Sequence, residues 1–445
     1  MGSMSELLTI FGDTDMAESA APGRLGIIVG GGPAPGINGV ISAVTIEAIN
    51  QGFEVYGFRD GFKYLVQGST EHYRKLSIPD VSINQLRGGS MLGTSRTNPA
   101  KNEADMAKVL ETLTKLGITD LVTIGGDDTA FSASQVYKRN NRKIRVAHVP
   151  KTIDNDLPLP AGTPTFGYET ARHYGVGIVR SLHEDAKTTG RWYLIVSMGR
   201  AAGHLALGIG KAAAATITVI PEEYRDKEVT LESVADLIIG SMIKRQVQGK
   251  GYGVAVLAEG LLESIGEKGL LSALGEEKLS RYGHLERDPH GHLRLGEIEF
   301  GRMVKDYLTQ RLGQLGIKTT VMDKDLGYEL RCADPIPFDN EYTRDLGYGA
   351  AKFLRSPQAA EFGAVISMVG GRLVPRPFEE MINPATSRMR TRKVDVDAET
   401  YEVARRYMIR LEANDFSDPS KLAQLAAFAK LTPEQFRDRF AYLVS

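Results

Sequence analysis

One cysteine, Cys332, is all that 445 residues contain. No internal disulfide and no cysteine-built metal site can form, and the chain suits a reducing compartment, with the cytoplasm as the expected location. An excess of charge of either sign is also lacking: 54 Lys and Arg against 55 Asp and Glu leave a formal net charge of −1. Such a chain has no overall field to draw it onto nucleic acid or an anionic membrane, so any anionic substrate has to be held by local clusters. No apolar run approaches the roughly 18 residues that span a bilayer, and the N-terminus lacks the basic start and apolar stretch of a signal peptide. Met1-Gly2-Ser3-Met4 reads as an expression scar ahead of a native start.

The length allows two or three compact lobes. Short apolar runs at Leu25 to Val29, Leu121 to Ile124, Val146 to Val149, Trp192 to Met198, Ile217 to Ile220 and Gly253 to Ala258 read as buried strands. The first is followed by a Gly/Pro turn and a helical pattern from Ile37 to about Asn50, and most of the others by turn residues and a helical segment. This alternation predicts α/β layers around mostly parallel sheets. A polar leader covers 1–23. Polar, Gly-rich sequence at 263–296, with His290 and His292, reads as a surface insertion with weak helix at its start. From 395 to 445 the pattern is a helical tail that packs or mediates assembly.

Three loops, each directly after a strand, carry the chemistry, because ligands of open α/β sheets sit at the carboxyl ends of strands. The first, Gly30-Gly31-Gly32-Pro33-Ala34-Pro35-Gly36, lets an anion approach the backbone and opens a helix whose N-terminal dipole favours phosphate. On its own it is equally a tight structural turn. The second, Gly125-Gly126-Asp127-Asp128-Thr129, places two carboxylates side by side, an arrangement that wants a cation; Asp127 could hold Mg²⁺ on a polyphosphate, or one Asp could cap the helix. The third, Pro150-Lys151-Thr152-Ile153-Asp154-Asn155-Asp156, joins a cation, a hydroxyl and two carboxylates. Phosphoryl transfer uses all three: a carboxylate accepts the proton of an attacking hydroxyl while a fixed cation offsets charge on the transferred group. The plain alternative is an Asx-type turn with solvated charges. His148, His173, His183 and His204 have no metal-ligand spacing and read as packing or surface residues.

With these loops the chain resembles the phosphofructokinase family over roughly Leu25 to Val374. The shared motifs are the GGxxPG loop, LGTSR at Leu92 to Arg96, GGDD, PKTIDND, MGRAAGH at Met198 to His204 and GYELR at Gly327 to Arg331. The resemblance implies two Rossmann-like α/β lobes with mostly parallel sheets and a helical C-terminal tail. The donor lobe would be 24–168, completed by 329–394, and the sugar-phosphate lobe 169–328. It also implies Asp154 as the base at the 1-hydroxyl of fructose 6-phosphate, Asp127 as the Mg²⁺ residue, and Gly32, Arg96 and Lys151 at the donor. Thr152, Ile153, Asp156, Met198, Gly199, Arg200 and Glu259 would contact or orient the sugar. Tyr328 and Arg331 would hold the 6-phosphate, joined by Arg191 from a neighbouring subunit, which implies a homodimer or homotetramer. Pro33 and Met322 depart from the family pattern. Met322 stands where many members have a phosphate-binding arginine, with Lys324 or Lys318 as substitutes, so sedoheptulose 7-phosphate stays open as an acceptor.

Pyrophosphate is the expected donor. Members using ATP typically have glycine at the position of Asp128, and a carboxylate about 4 Å from a phosphate costs on the order of 4 kcal/mol at an effective dielectric near 20, roughly three powers of ten in binding. Lys151, glycine in many ATP enzymes, grips the donor in the pyrophosphate-dependent members and belongs with Asp154 and Asp128 in the implied catalytic set. The rivals are an ATP-dependent phosphofructokinase, a non-catalytic regulatory subunit that binds sugar phosphates, and a lipid or nucleotide kinase sharing only the GGD loop.

Overall fold

The computed structural model describes residues 23–283, 295, 298–383 and 388–444. The leader up to residue 22, and His290 and His292, lie outside them. The chain first lays down β1 (Arg24–Val29), β2 (Glu54–Phe58), β3 (Tyr73–Leu76), β4 (Ile118–Gly125) and β5 (Arg145–Pro150). It then builds β6 (Trp192–Ser197), β7 (Ile217–Val219), β8 (Gly253–Ala258) and β9 (Val321–Leu326), and returns with β10 (Ala364–Val369) and β11 (Arg372–Pro377). Two sheets result, in the orders β11-β10-β5-β4-β1-β2-β3 and β7-β8-β6-β9. Their interiors are parallel; the antiparallel pairs β2–β3 and β10–β11 lie at the edges of the first.

Every residue of β8 is buried and its sequence GVAVLA shows no alternation, as a parallel strand covered on both faces requires. β9 and β11 escape the apolar-run criterion for a physical reason. β9 (VMDKDL) is an edge strand with half-solvated side chains, and β11 (RLVPRP) carries two prolines that only an edge tolerates.

The helices that frame the site are α1 (Ile37–Asn50), α2 (Asp127–Arg139), α3 (Tyr168–Thr189), α4 (His204–Ala212), α5 (Leu231–Val247), α6 (Gly260–Leu274), α7 (Phe300–Gln314) and α8 (Pro337–Arg355). Gly36 precedes α1 at φ 100°, and a Cβ there would come within 2.7 Å of Thr343 Cγ2 on α8, so only glycine lets the two helices pack this closely. The fully buried Asp339 of α8 accepts hydrogen bonds from the Gly167 and Thr170 amides at 2.9 and 2.8 Å. It thereby places a carboxylate at the positive end of α3 and ties the two lobes at their joint.

One region differs from expectation, and the helical tail takes the packing role expected of it. The stretch 263–283, expected as surface, continues α6 and a further short helix, and its Ile265, Leu270 and Leu279 are buried in the core of the second sheet. The tail joins that core: Phe416, Leu422, Leu425, Phe436 and Phe440 pack with Ile238 and Met242 of α5 and Leu308 of α7. Its Arg410, 5% exposed, pairs with Glu223 at 2.6 Å and donates to the Thr218 carbonyl.

Register sets the site. Val29 pairs with Ile124, and Gly125 with Pro150, so the GGGPAPG, GGDD and PKTIDND loops leave the first sheet at one level. Ser197 pairs with Ala258 and with Leu326, so MGR, Glu259 and GYELR leave the second sheet together.

Candidate active site

The carboxyl ends of the two sheets face each other across a cleft of about 470 Å³. It is lined by Gly32, Arg96, Asp127, Asp128, Lys151, Thr152, Ile153, Asp154, Asp156, Met198, Arg200, Glu259, Tyr328 and Arg331, all singled out from the sequence. Gly199 sits just behind, donating its amide to Glu259 Oε2 at 3.2 Å. Arg191 is not brought there. It precedes β6 at the opposite end, where it pairs with Asp185 at 3.8 Å; at about 3.3 Å per strand residue this is roughly 20 Å from Ser197. Met322 is the second residue of β9 and likewise remote, and Lys318 lines a separate hollow with Gly190 and Thr320. Lys324 pairs with Glu329 of the GYELR turn at 3.0 Å.

Lys151 and Asp154 are the buried pair of the site, 4% and 8% exposed. The Lys151 ammonium donates to the Gly32 carbonyl. Burial pulls its pKa down to about 8 against the attraction of Asp154, and the Arg331 and Arg200 charges pull the same way as burial. Burial, then the neighbouring Asp156, push the Asp154 carboxyl up to about 7, opposed by Arg200. Its Oδ1 is buried without a hydrogen-bond partner. An unpaired buried oxygen makes the charged form of this carboxyl costly, while the residue itself lines the cleft and turns Oδ2 toward Arg200. Burial and then Asp127 raise Asp156 as well.

Arg200 crosses the cleft from the second sheet, placing Nη1 3.0 Å from Asp127 Oδ1 and Nε 4.0 Å from Asp154 Oδ2. Burial opposes its charge, but Asp127, Asp154 and Asp156 outweigh this and hold its proton more firmly than usual. Its backbone is left-handed, φ 49°, and so is that of Asn155, φ 56°. Glu259 Oε2 accepts from the Arg200 amide at 3.3 Å and so holds that conformation. A Cβ on Gly32 would overlap the Arg331 guanidinium, which donates to the Pro33 carbonyl at 3.4 Å.

Residues outside the sequence reading also shape the cleft. Asn98 Nδ2 donates to Asp128 Oδ1 at 3.1 Å, and Asn98 Oδ1 accepts from Ser132 at 3.0 Å, which fixes the Asp128 carboxylate. Thr97 and Lys101 line the same side. Arg392 grips the PKTIDND loop from 237 positions away along the chain, a contact no local pattern announces. His148 is fully buried between Thr123 and the Gly125 carbonyl, and burial lowers its pKa to about 3. It is neutral packing, as its spacing suggested. Among the described residues no group of three or more His, Cys, Asp or Glu could hold a metal ion unaided, and no helix is long and apolar enough to cross a membrane.

The phosphofructokinase family model matches residues 24–354. A pyrophosphate–fructose 6-phosphate 1-phosphotransferase of Thermotoga maritima is 54% identical over 417 residues, 94% of this chain and 98% of that one. One from Naegleria fowleri is 50% identical over 427 residues, covering 94% and 95%. The crystal structure of a pyrophosphate-dependent phosphofructokinase from Nitrosospira multiformis superposes with a TM-score of 0.64 over 88% of this chain and 93% of its own, at 16% identity, a likeness of fold. With its parallel sheets meeting over the GGDD, PKTIDND and MGR loops, the chain belongs to the phosphofructokinase family.

Proposed function

We propose that this chain transfers a phosphoryl group from pyrophosphate to the 1-hydroxyl of fructose 6-phosphate, reversibly, giving fructose 1,6-bisphosphate and phosphate. The observation that carries it is the buried Asp154 carboxyl beside the buried Lys151 ammonium, in a cleft where Arg96, Arg200 and Arg331 stand among the carboxylates. The hydroxyl oxygen bonds to the terminal phosphorus as the bridging P–O bond breaks, orthophosphate departs, and the hydroxyl proton passes to Asp154. With an ordinary carboxyl pKa Asp154 would be a weak base; raised to about 7, it is matched to neutral pH. Lys151 and Arg200 face the charge on the transferred group. Tyr328 and Arg331 receive the 6-phosphate, and Arg191 completes the site of a neighbouring copy in a cytoplasmic homodimer or homotetramer.

The oxygen donors suit Mg²⁺. Asp127 opens α2 with its carboxylate on the cleft, and a hard cation that keeps octahedral oxygen ligands is commonly held by one or two carboxylates together with the substrate phosphates. When bound, it would neutralise charge on the pyrophosphate.

Donor choice rests on Asp128, which Asn98 holds at the donor end. Initial rates of fructose 1,6-bisphosphate formation with pyrophosphate and with ATP should differ by at least about a hundredfold, well inside the estimated Coulomb penalty. Asp128→Gly should raise the ATP rate; an unchanged donor ratio would remove Asp128 from the explanation, and an ATP-preferring parent would overturn the donor assignment.

The pH profile of kcat/KM should be bell-shaped. On the acid side it falls as the Asp154–Asp156 pair takes up a proton near pH 7, and on the alkaline side as Lys151 loses one near pH 8. Lys151→Arg, which keeps its charge at all these pH values, should retain the acid limb and lose the alkaline one. Persistence of both limbs would show that Lys151 does not set the upper limit.

A further inference from the structure

The segment 390–394 ends the chain's passage over the first lobe and reaches both catalytic loops. Arg392 is its centre. Its guanidinium donates through Nε to the Asn155 carbonyl at 3.1 Å, through Nη1 to the Thr163 carbonyl at 2.8 Å, and through Nη2 to the Asn155 side chain. Its own amide donates to the Asp156 carbonyl at 2.7 Å. The residues it holds flank the base: Asn155 is the left-handed residue between Asp154 and Asp156, a conformation asparagine tolerates better than other side chains but that still costs more than extended or right-handed backbone. Toward the other sheet, Arg392 O lies 3.3 Å from His204 Nε2, and Lys393 donates to the Ala201 carbonyl. Glu222 Oε1 takes both the Val394 amide at 3.1 Å and the Gly203 amide at 2.9 Å. One short segment thus fastens the PKTIDND loop of the first lobe to the MGRAAGH loop of the second.

The guanidinium spends these bonds on neutral oxygens. Burial lowers the Arg392 pKa, with the nearby Asp156 working against this. A planar donor that reaches several acceptors at once is something lysine cannot reproduce. We infer that Arg392 is a positioning residue, which sets the Asp154 carboxylate against the acceptor hydroxyl by clamping Asn155 and registering its loop to the sugar-contacting loop. This inference rests on the proposed role of Asp154 as base.

The test compares Arg392→Met and Arg392→Lys with the parent in kcat, in KM for fructose 6-phosphate, and in hydrogen exchange of the Asp154 and Thr165 amides, which bond to Thr152 Oγ1 and Asn155 Oδ1. A displacement near 1 Å at a reacting group costs about 100-fold in rate, so kcat should drop by about that factor in Arg392→Met with KM changed by less than about threefold. Both amides should exchange faster while those of β4 and β5 do not. Arg392→Lys should recover only part of kcat, and it carries the test if the Met variant does not fold. Parent-like kcat and exchange in a folded variant would overturn the inference, as would a loss confined to KM. Faster exchange at the two amides in the variants of a parent that shows no phosphotransfer would keep the clamp and reject the proposed function, and with it the role of Asp154 as base.

Discussion

Asp154→Asn should lower turnover with pyrophosphate and fructose 6-phosphate by about 10³-fold, within the range a general base contributes, and should make the protein more stable at neutral pH. Both effects have one origin. The carboxylate is held out of water next to Asp156 with Oδ1 unpartnered, an arrangement useful for taking a proton and costly to fold. Its folded pKa of about 7 lies above the ordinary aspartate value of 3.8, so the folded state binds the proton more tightly. Below the unfolded pKa the penalty is absent; it grows as pH rises and is complete above the folded pKa, where it amounts to on the order of 2–4 kcal/mol. Asn carries no charge to desolvate. Thermal denaturation should therefore show a higher melting temperature for the variant at pH 8 and little of that gain at pH 4, while initial rates at saturating substrate show the loss of turnover. Near-normal turnover would reject Asp154 as the base, and a lower melting temperature at pH 8 would reject the buried-charge explanation of its pKa.

Lys151→Met should cost about 10²- to 10³-fold in kcat, the size of effect seen when one preorganised charge-stabilising group is removed, with KM for fructose 6-phosphate changed by less than about threefold. The side chains are similar in length, and an ammonium 4% exposed is itself expensive to bury, so the fold should survive. A second consequence follows from the pairing. The Lys151 charge holds the Asp154 pKa down against burial, so its removal should move the acid limb of the pH profile upward. Steady-state kinetics from pH 5 to 9 read both effects. An unchanged kcat with a raised sugar KM would place Lys151 at the acceptor rather than at the donor.

The loops were legible because each is a dense local pattern: glycines next to carboxylates, or a cation next to a hydroxyl and two carboxylates, directly after an apolar strand. Lys151, Asp154 and Asp127 needed no coordinates to be noticed. Asn98 and Arg392 did, since one lies in an ordinary TNPAK turn and the other in a charged stretch near the tail. Their roles depend on carboxylates and carbonyls that arrive from elsewhere in the chain. Edge strands such as β9 and β11 were missed for a related reason: a strand with one side solvated can be charged or proline-bearing and leaves no apolar run.

What the sequence determined by itself was composition, the parallel α/β class, the motif residues and the presence of Asp128, all of which are local or follow from which side chains must leave water. Only the tertiary structure decided that β4 and β5, and β6, β8 and β9, end at matching levels, and that the two sets of ends face one another. It also decided that Asp154 is buried with an unpartnered oxygen and that the tail helices belong to a core. Those are consequences of register, crossover and packing between distant segments. Burial, which turns an ordinary aspartate into a base near neutral pH, belongs to the assembled cleft rather than to any stretch of chain.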